Sequence, residues 1–102
     1  MKLVAVCACT SGIAHTYMAK EKLRKAAESL GHEIHIETQG TIGVEDELTP
    51  VQIAEADAVI LAVDIHVEKG RFKGKRVMEV PTSLVLKASK QIIQKVEESL
   101  KA

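Results

Sequence analysis

The chain has 102 residues, a length that suits a single domain over 1–102, and its 46% apolar and 27% charged content is that of an ordinary soluble globular protein. Its 14 Lys and Arg balance 14 Asp and Glu, and its aromatic residues are Tyr17 and Phe72 alone. Charge neutrality and the shortage of rings argue against nucleic-acid binding and against attraction to a membrane surface, and they require an aliphatic core.

No stretch approaches the roughly 20 apolar residues of a membrane span, and the apolar run after Met1-Lys2 is too short for a signal peptide. Direct membrane insertion is therefore not expected. Cys7 and Cys9, two positions apart on one strand, are poorly placed to bridge each other, and the chain has no other cysteine. This fits a reducing compartment, so the expected location is the cytoplasm. A membrane-bound partner, holding the chain at the inner face, stays open.

Residues 2–8 are short, continuously apolar and rich in valine, which predicts a strand buried on both faces. Residues 9–16, Cys9-Thr10-Ser11-Gly12-Ile13-Ala14-His15-Thr16, join it to a helical pattern over 15–30. Ala14, Met18, Ala19, Leu23, Ala26 and Leu30 give that helix an inner face, and Gly31 is its natural C-terminal cap. Residues 33–38 alternate, with Ile34 and Ile36 on one side and Glu33, His35 and Glu37 on the other, as expected of an edge strand. A glycine-bearing loop over 39–43 follows. Thr49-Pro50-Val51-Gln52 is a helix start, with Thr as N-cap, Pro at the first helical position and Gln three residues after the cap. The apolar run 58–63 predicts a second central strand, 68–75 a polar loop, 76–80 a short edge strand, and Pro81-Thr82-Ser83 the start of a last helix.

Strands alternating with helices predict a three-layer α/β/α sandwich around a four-stranded parallel sheet of order 2-1-3-4. Its switch point lies between strands 1 and 3, at their carboxyl ends, where open sheets of this kind bind ligands. Cys9 and Asp64 fall there, with Gln39 and Gly40 beside them.

A cysteine at a strand end above a helix N-terminus has its thiolate favoured by the helix dipole, and the backbone N–H groups of the same turn favour a phosphate. A nucleophilic sulfur in a phosphate cradle can carry a phosphoryl group. The competing reading of Cys9 is a small buried hydrophobe, which suits Cys7 within the strand better. His15 is either an ordinary helix-start residue or a donor to a phosphate on Cys9. A Cys7, Cys9 and His15 metal site lacks a fourth ligand at recognisable spacing, so no metal centre and no cofactor are expected. Glu45-Asp46-Glu47 reads as solvation and dipole complementation for the helix that follows. The basic run Lys69, Arg71, Lys73, Lys75 and Arg76 reads as a solvated loop, or else as a docking surface for an acidic partner.

The stretch from Cys9 to Ala19, Cys-Thr-Ser-Gly-Ile-Ala-His-Thr-Tyr-Met-Ala, resembles the signature of the fructose-specific enzyme IIB component of the bacterial sugar phosphotransferase system, whose usual text is Cys-Pro-Thr-Gly-Ile-Ala-His-Thr-Phe-Met-Ala. Glu37-Thr38-Gln39-Gly40, Leu48-Thr49 with Ile53, Ala56-Asp57, residues 62–64, and Arg71-Phe72 with Gly74-Lys75 are similar to the family as well. The resemblance implies that Cys9 is the phosphorylated nucleophile. It implies that Thr10, Ser11, Gly12, Ile13, Ala14, His15 and Thr16 surround its phosphate. It implies an enzyme IIA as phosphoryl donor and a sugar held by a membrane enzyme IIC as acceptor. Thr10 stands where the family has proline and Ser11 where it has threonine; the hydroxyl is kept, and Thr10 adds an N–H donor. Two other readings compete. A low-molecular-weight-type cysteine phosphatase shares such a loop, but places an arginine six residues after the cysteine, where this chain has His15. A non-catalytic anion-binding domain leaves the position of Cys9 unexplained.

Overall fold

The computed structural model describes residues 2–8, 13–40, 43–63 and 70–101. Its first strand, β1 (Lys2–Ala8), is buried from Leu3 to Ala8 with no residue more than 1% exposed. Such a strand needs cover on both faces, and the aliphatic side chains supply two cores. Leu3, Ala5 and Cys7 point into one, Val4, Val6 and Ala8 into the other.

Helix α1 (Ile13–Ser29) follows β1 and lays Ala19, Leu23, Ala26 and Ala27 on the first core. Met18, expected on that inner face, is 54% exposed, because it lies about 100° around the helix from Ala19. The helix ends at Gly31, whose φ of +80° allows the His32 N–H to reach the Ala27 carbonyl and the Gly31 N–H to reach that of Glu28. These two bonds satisfy carbonyls that the last turn would otherwise leave open.

Strand β2 (Glu33–Gly40) pairs parallel with β1, and its carboxyl end pairs antiparallel with the three-residue strand β3 (Gly43–Glu45). Helix α2 (Pro50–Glu55) opens with a complete capping box. The Gln52 N–H donates to Thr49 Oγ1 at 3.1 Å, and the Thr49 N–H donates to Gln52 Oε1 at 2.9 Å. Strand β4 (Ala58–Val63) pairs parallel with β1 on its other side and with β5 (Val77–Val80). A 3-10 turn (Gly70–Phe72) precedes β5, and helix α3 (Thr82–Lys101) closes the chain against α1.

The sheet order is β3-β2-β1-β4-β5. This corrects the expectation of a four-stranded, wholly parallel sheet of order 2-1-3-4: the sheet is mixed and has five strands, with β3 outside β2. The reason is local. Residues 43–45 are all exposed, so no burial alternation marks them as a strand. Helices α1 and α3 cover the first core, while α2 and the 3-10 turn cover the second.

A core position and a helix cap differ in sensitivity. Leu61→Ala, at a fully buried position of the second core, should lower unfolding free energy by about 3 kcal/mol in urea titration. Thr49→Ala removes one cap acceptor and should cost about 1 kcal/mol.

Candidate functional site at the carboxyl edge of the sheet

Ala8, Gln39 and Val63 form the last paired row of β1, β2 and β4. The chain leaves β1 for α1 within the next few residues, so the N-terminus of a 17-residue helix stands over the end of the central strand. β2 lies on one side of β1 and β4 on the other, which makes this edge the switch point of the sheet. The first turn of α1 contains no acidic residue to oppose an anion. Helix α3 also begins at this edge, and the Thr82 hydroxyl donates to the Ala62 carbonyl at 3.5 Å.

Cys9, Thr10, Ser11, Gly12 and Asp64 lie outside the described residues. Ile13, Ala14, His15 and Thr16 form the first turn of α1, and Thr16 is buried. Gln39 and Gly40 end β2. Gln39 is half-buried, and its Nε2 donates to Glu37 Oε2 at 2.6 Å.

Cys7 is fully buried, and desolvation pushes its thiol up to about 12, with the charge of Lys20 opposing weakly. A thiol in that state is a packing group and not a nucleophile. Among the described residues no group of three His, Cys, Asp or Glu side chains is placed to hold a metal ion.

Beside this edge lies an ion pair that the sequence concealed. Glu37, expected on the wet side of an edge strand, is completely buried. It faces the second core in register with Val6, and Leu48, just before α2, lies against it on that side of the sheet. Its Oε1 accepts from Arg71 Nη1 at 2.8 Å and from the Leu48 N–H at 2.9 Å, and its Oε2 accepts from Arg71 Nη2 at 2.6 Å. The guanidinium also lies 4.9 Å from the centre of the Phe72 ring. Burial works to raise the Glu37 pKa, but the hydrogen bonds from Arg71, Gln39 and Leu48, with the charge of Arg71, outweigh it and hold the carboxyl below its ordinary value. A bidentate pair with every carboxylate oxygen engaged fixes the 3-10 turn after β4 against β2.

The basic run is thereby taken apart. Arg71 holds Glu37, and Lys75 Nζ donates to the Ala54 and Ala56 carbonyls at the end of α2, at 2.8 and 2.9 Å. The acidic trio also serves differently from the expected helix-dipole role. Tyr17 donates to Glu45, and Lys20 pairs with Asp46 at 3.0 Å, so both acids tie α1 to the end of β3.

Two outcomes follow from these environments. Arg71→Met strands a buried carboxylate and should destabilise the fold at pH 7 by about 3 kcal/mol. In the wild type the depressed Glu37 pKa contributes stability that is present above the unfolded-state value of 4.5 and is lost as pH falls from there through the lower folded-state value. Without Arg71, burial is opposed only by the Gln39 and Leu48 bonds and should raise the Glu37 carboxyl, so the deficit against wild type should shrink as pH is lowered from 7 toward 5. Urea titrations at several pH values measure it, and a deficit that does not change with pH contradicts the assignment. The second outcome concerns Cys7: it should resist iodoacetamide at pH 8 in the native state and react once urea unfolds the chain, read by mass spectrometry of peptides.

The same architecture occurs in known proteins. A family described as the lactose/cellobiose-specific IIB subunit of the phosphotransferase (PTS) system matches residues 4–95. The Escherichia coli K12 protein named PTS system fructose-like EIIB component 2 is 48% identical over 100 residues, which cover 97% of this chain and 94% of that protein. A PTS system fructose-specific EIIABC component of Bacillus subtilis is 46% identical over 94 residues, 92% of this chain but 15% of that longer protein. The crystal structure of a domain from a fructose-specific IIABC component of Borrelia burgdorferi superposes with a TM-score of 0.90 at 42% identity, covering 95% of this chain and 93% of that one. The family match spans both cores and both sides of the switch point, and the chain belongs to the IIB family of the phosphotransferase system.

Proposed function

We propose that the chain is a phosphoryl carrier of a fructose-type sugar phosphotransferase system, and that Cys9 is the carrying residue. Its Sγ attacks the phosphorus of a phosphohistidine on an enzyme IIA, the P–N bond breaks as the S–P bond forms, and the histidine is regenerated. The phosphoryl group then passes from Cys9 to a hydroxyl of a sugar held by a membrane enzyme IIC: the S–P bond breaks as the O–P bond forms, the hydroxyl proton leaves to a base or to water, and the thiolate is restored. The observation that carries this reading is the Cys9 to Ala19 signature, which runs from the residue after a central parallel strand into the first turns of a long helix. The relatives named for fructose favour fructose or a related sugar, and the EIIABC name of the Bacillus subtilis relative supports IIA and IIC as partners.

Thr10, Ser11, Gly12, Ile13, Ala14, His15 and Thr16 are proposed to surround the phosphate, with Gln39, Gly40 and Asp64 as neighbours of the site. No Lys or Arg lies between Cys9 and Tyr17. Neutralisation then falls to backbone N–H groups, hydroxyls and the dipole of α1. A phosphatase of the low-molecular-weight type is disfavoured: His15 stands where its arginine belongs, and Arg71 is held by Glu37. Among the described residues no helix is long and apolar enough to cross a membrane, so contact with the membrane is assigned to enzyme IIC.

Intact-mass and peptide mass spectrometry after incubation with phosphorylated enzyme IIA test the proposal. One phosphoryl group should appear on Cys9, Cys9→Ser should abolish it, and Cys7→Ser should retain it. Phosphate on Cys7→Ser lost and on Cys9→Ser kept would overturn the assignment. So would sustained hydrolysis of aryl phosphates that disappears in Cys9→Ala.

A further inference from the structure

Thr38 is 2% exposed, and its buried Oγ1 has no hydrogen-bond partner among the described residues. Buried hydroxyls are normally bonded, because an unmade bond leaves the full desolvation cost in place. Valine fills the same volume without that cost. Among the described residues, therefore, nothing accepts from this donor, and the question is what does.

Its position answers in chemical terms. Thr38 is level with Cys7 of β1, which is itself level with Ala62 of β4, one row short of the last paired row of the sheet. Cys7 and Ala62 belong to the core beneath α1 and α3, so Thr38 lies on that face. Thr16, in the first turn of α1, is buried too. An unused donor under the positive end of a helix is complementary to an anion.

We propose that the Thr38 hydroxyl is a phosphate-binding group, unpaired in the resting protein and donating to a phosphate oxygen when the site carries a phosphoryl group. The inference rests on Cys9 as the carrier. Whatever backbone conformation residue 9 takes, strand spacing and the fixed step from Ala8 put its Cα within about 10 Å of that of Thr38. A phosphocysteine side chain and a threonine side chain, joined by a hydrogen bond of about 2.7 Å, span that distance.

Thr38→Val and Thr38→Ser separate this role from a structural one. In urea titration of the unphosphorylated full chain, Thr38→Val should be at least as stable as wild type. In equilibrium mixtures with phosphorylated enzyme IIA, read by intact-mass spectrometry, its equilibrium constant for accepting phosphate should fall about tenfold, the value of one hydrogen bond to a charged acceptor. Thr38→Ser should stay within about twofold of wild type. Should Thr38→Val not fold, Thr38→Ala against Thr38→Ser gives the same comparison. Equal phosphorylation of wild type and Thr38→Val overturns the inference while leaving the carrier reading standing, as does an equal loss in Thr38→Val and Thr38→Ser. A wild-type chain that takes no phosphoryl group on Cys9 overturns both.

Discussion

The burial of β1 on both faces is the constraint from which the architecture follows. Six successive residues, Leu3 to Ala8, are essentially without solvent contact, so the strand needs a hydrogen-bonded neighbour on each edge and a helical layer on each face. The parallel neighbours β2 and β4 satisfy the first need, and α1 with α3 on one side and α2 on the other satisfy the second. Parallel pairing forces the chain to leave β1 at its carboxyl end and return over the sheet. That places the start of α1 over the strand end and opens the switch point beside it. A ligand site at this edge is thus a consequence of how a strand with no polar face can be housed.

The Glu37–Arg71 pair works on the same edge by different physics. Replacing a buried pair by apolar residues is often neutral for stability, so its presence is weak support for a purely stabilising role. What it supplies is position. A bidentate guanidinium has one good orientation on a carboxylate, and this one is further confined by the Phe72 ring and by the Leu48 N–H and Gln39 amide on the same oxygens. The pair reaches across the second-core face from β2 to the turn that follows β4. Two segments on opposite sides of β1 are thereby held in one geometry, and the half-buried Gln39 at the rim is oriented by the same carboxylate.

Patterns with a local physical cause were legible in the sequence. The apolar runs of β1 and β4, the glycine at the end of α1 and the capping box of α2 each depend on residues within a few positions of one another. The family was legible from the Cys9 to Ala19 signature, because that signature lies in consecutive residues. Features made by distant residues were not legible. Glu37 alternates with isoleucines as a surface residue would, and Arg71, 34 positions away, together with the Leu48 N–H, 11 positions away, makes its burial tolerable. β3 has three exposed residues and pairs by backbone alone, so no side-chain pattern announces it. Met18 was misassigned by a single helical step, and the orphan hydroxyl of Thr38 has no sequence signal at all, since threonine is an ordinary strand residue.

The proposed carrier role gives the two cysteines opposite chemistries, and the structure describes the surroundings of Cys7. Cys7 points into the core below α1, where desolvation pushes its thiol up to about 12 and keeps it inert. Cys9 stands two residues further on in the sequence, between the last residue of β1 and the first of α1. On the proposed carrier reading, that step exchanges aliphatic surroundings for a helix terminus. Such a terminus favours a thiolate, and favours a phosphate on that sulfur for the same electrostatic reason. Holding the charge by dipoles and hydroxyls, with no cation from the motif itself, also suits a group that must be handed on. A guanidinium fixed on the phosphate would deepen the well from which the phosphoryl group has to leave. In this fold the nearby guanidinium of Arg71 is instead committed to Glu37, so its charge is already spent on positioning the rim of the site.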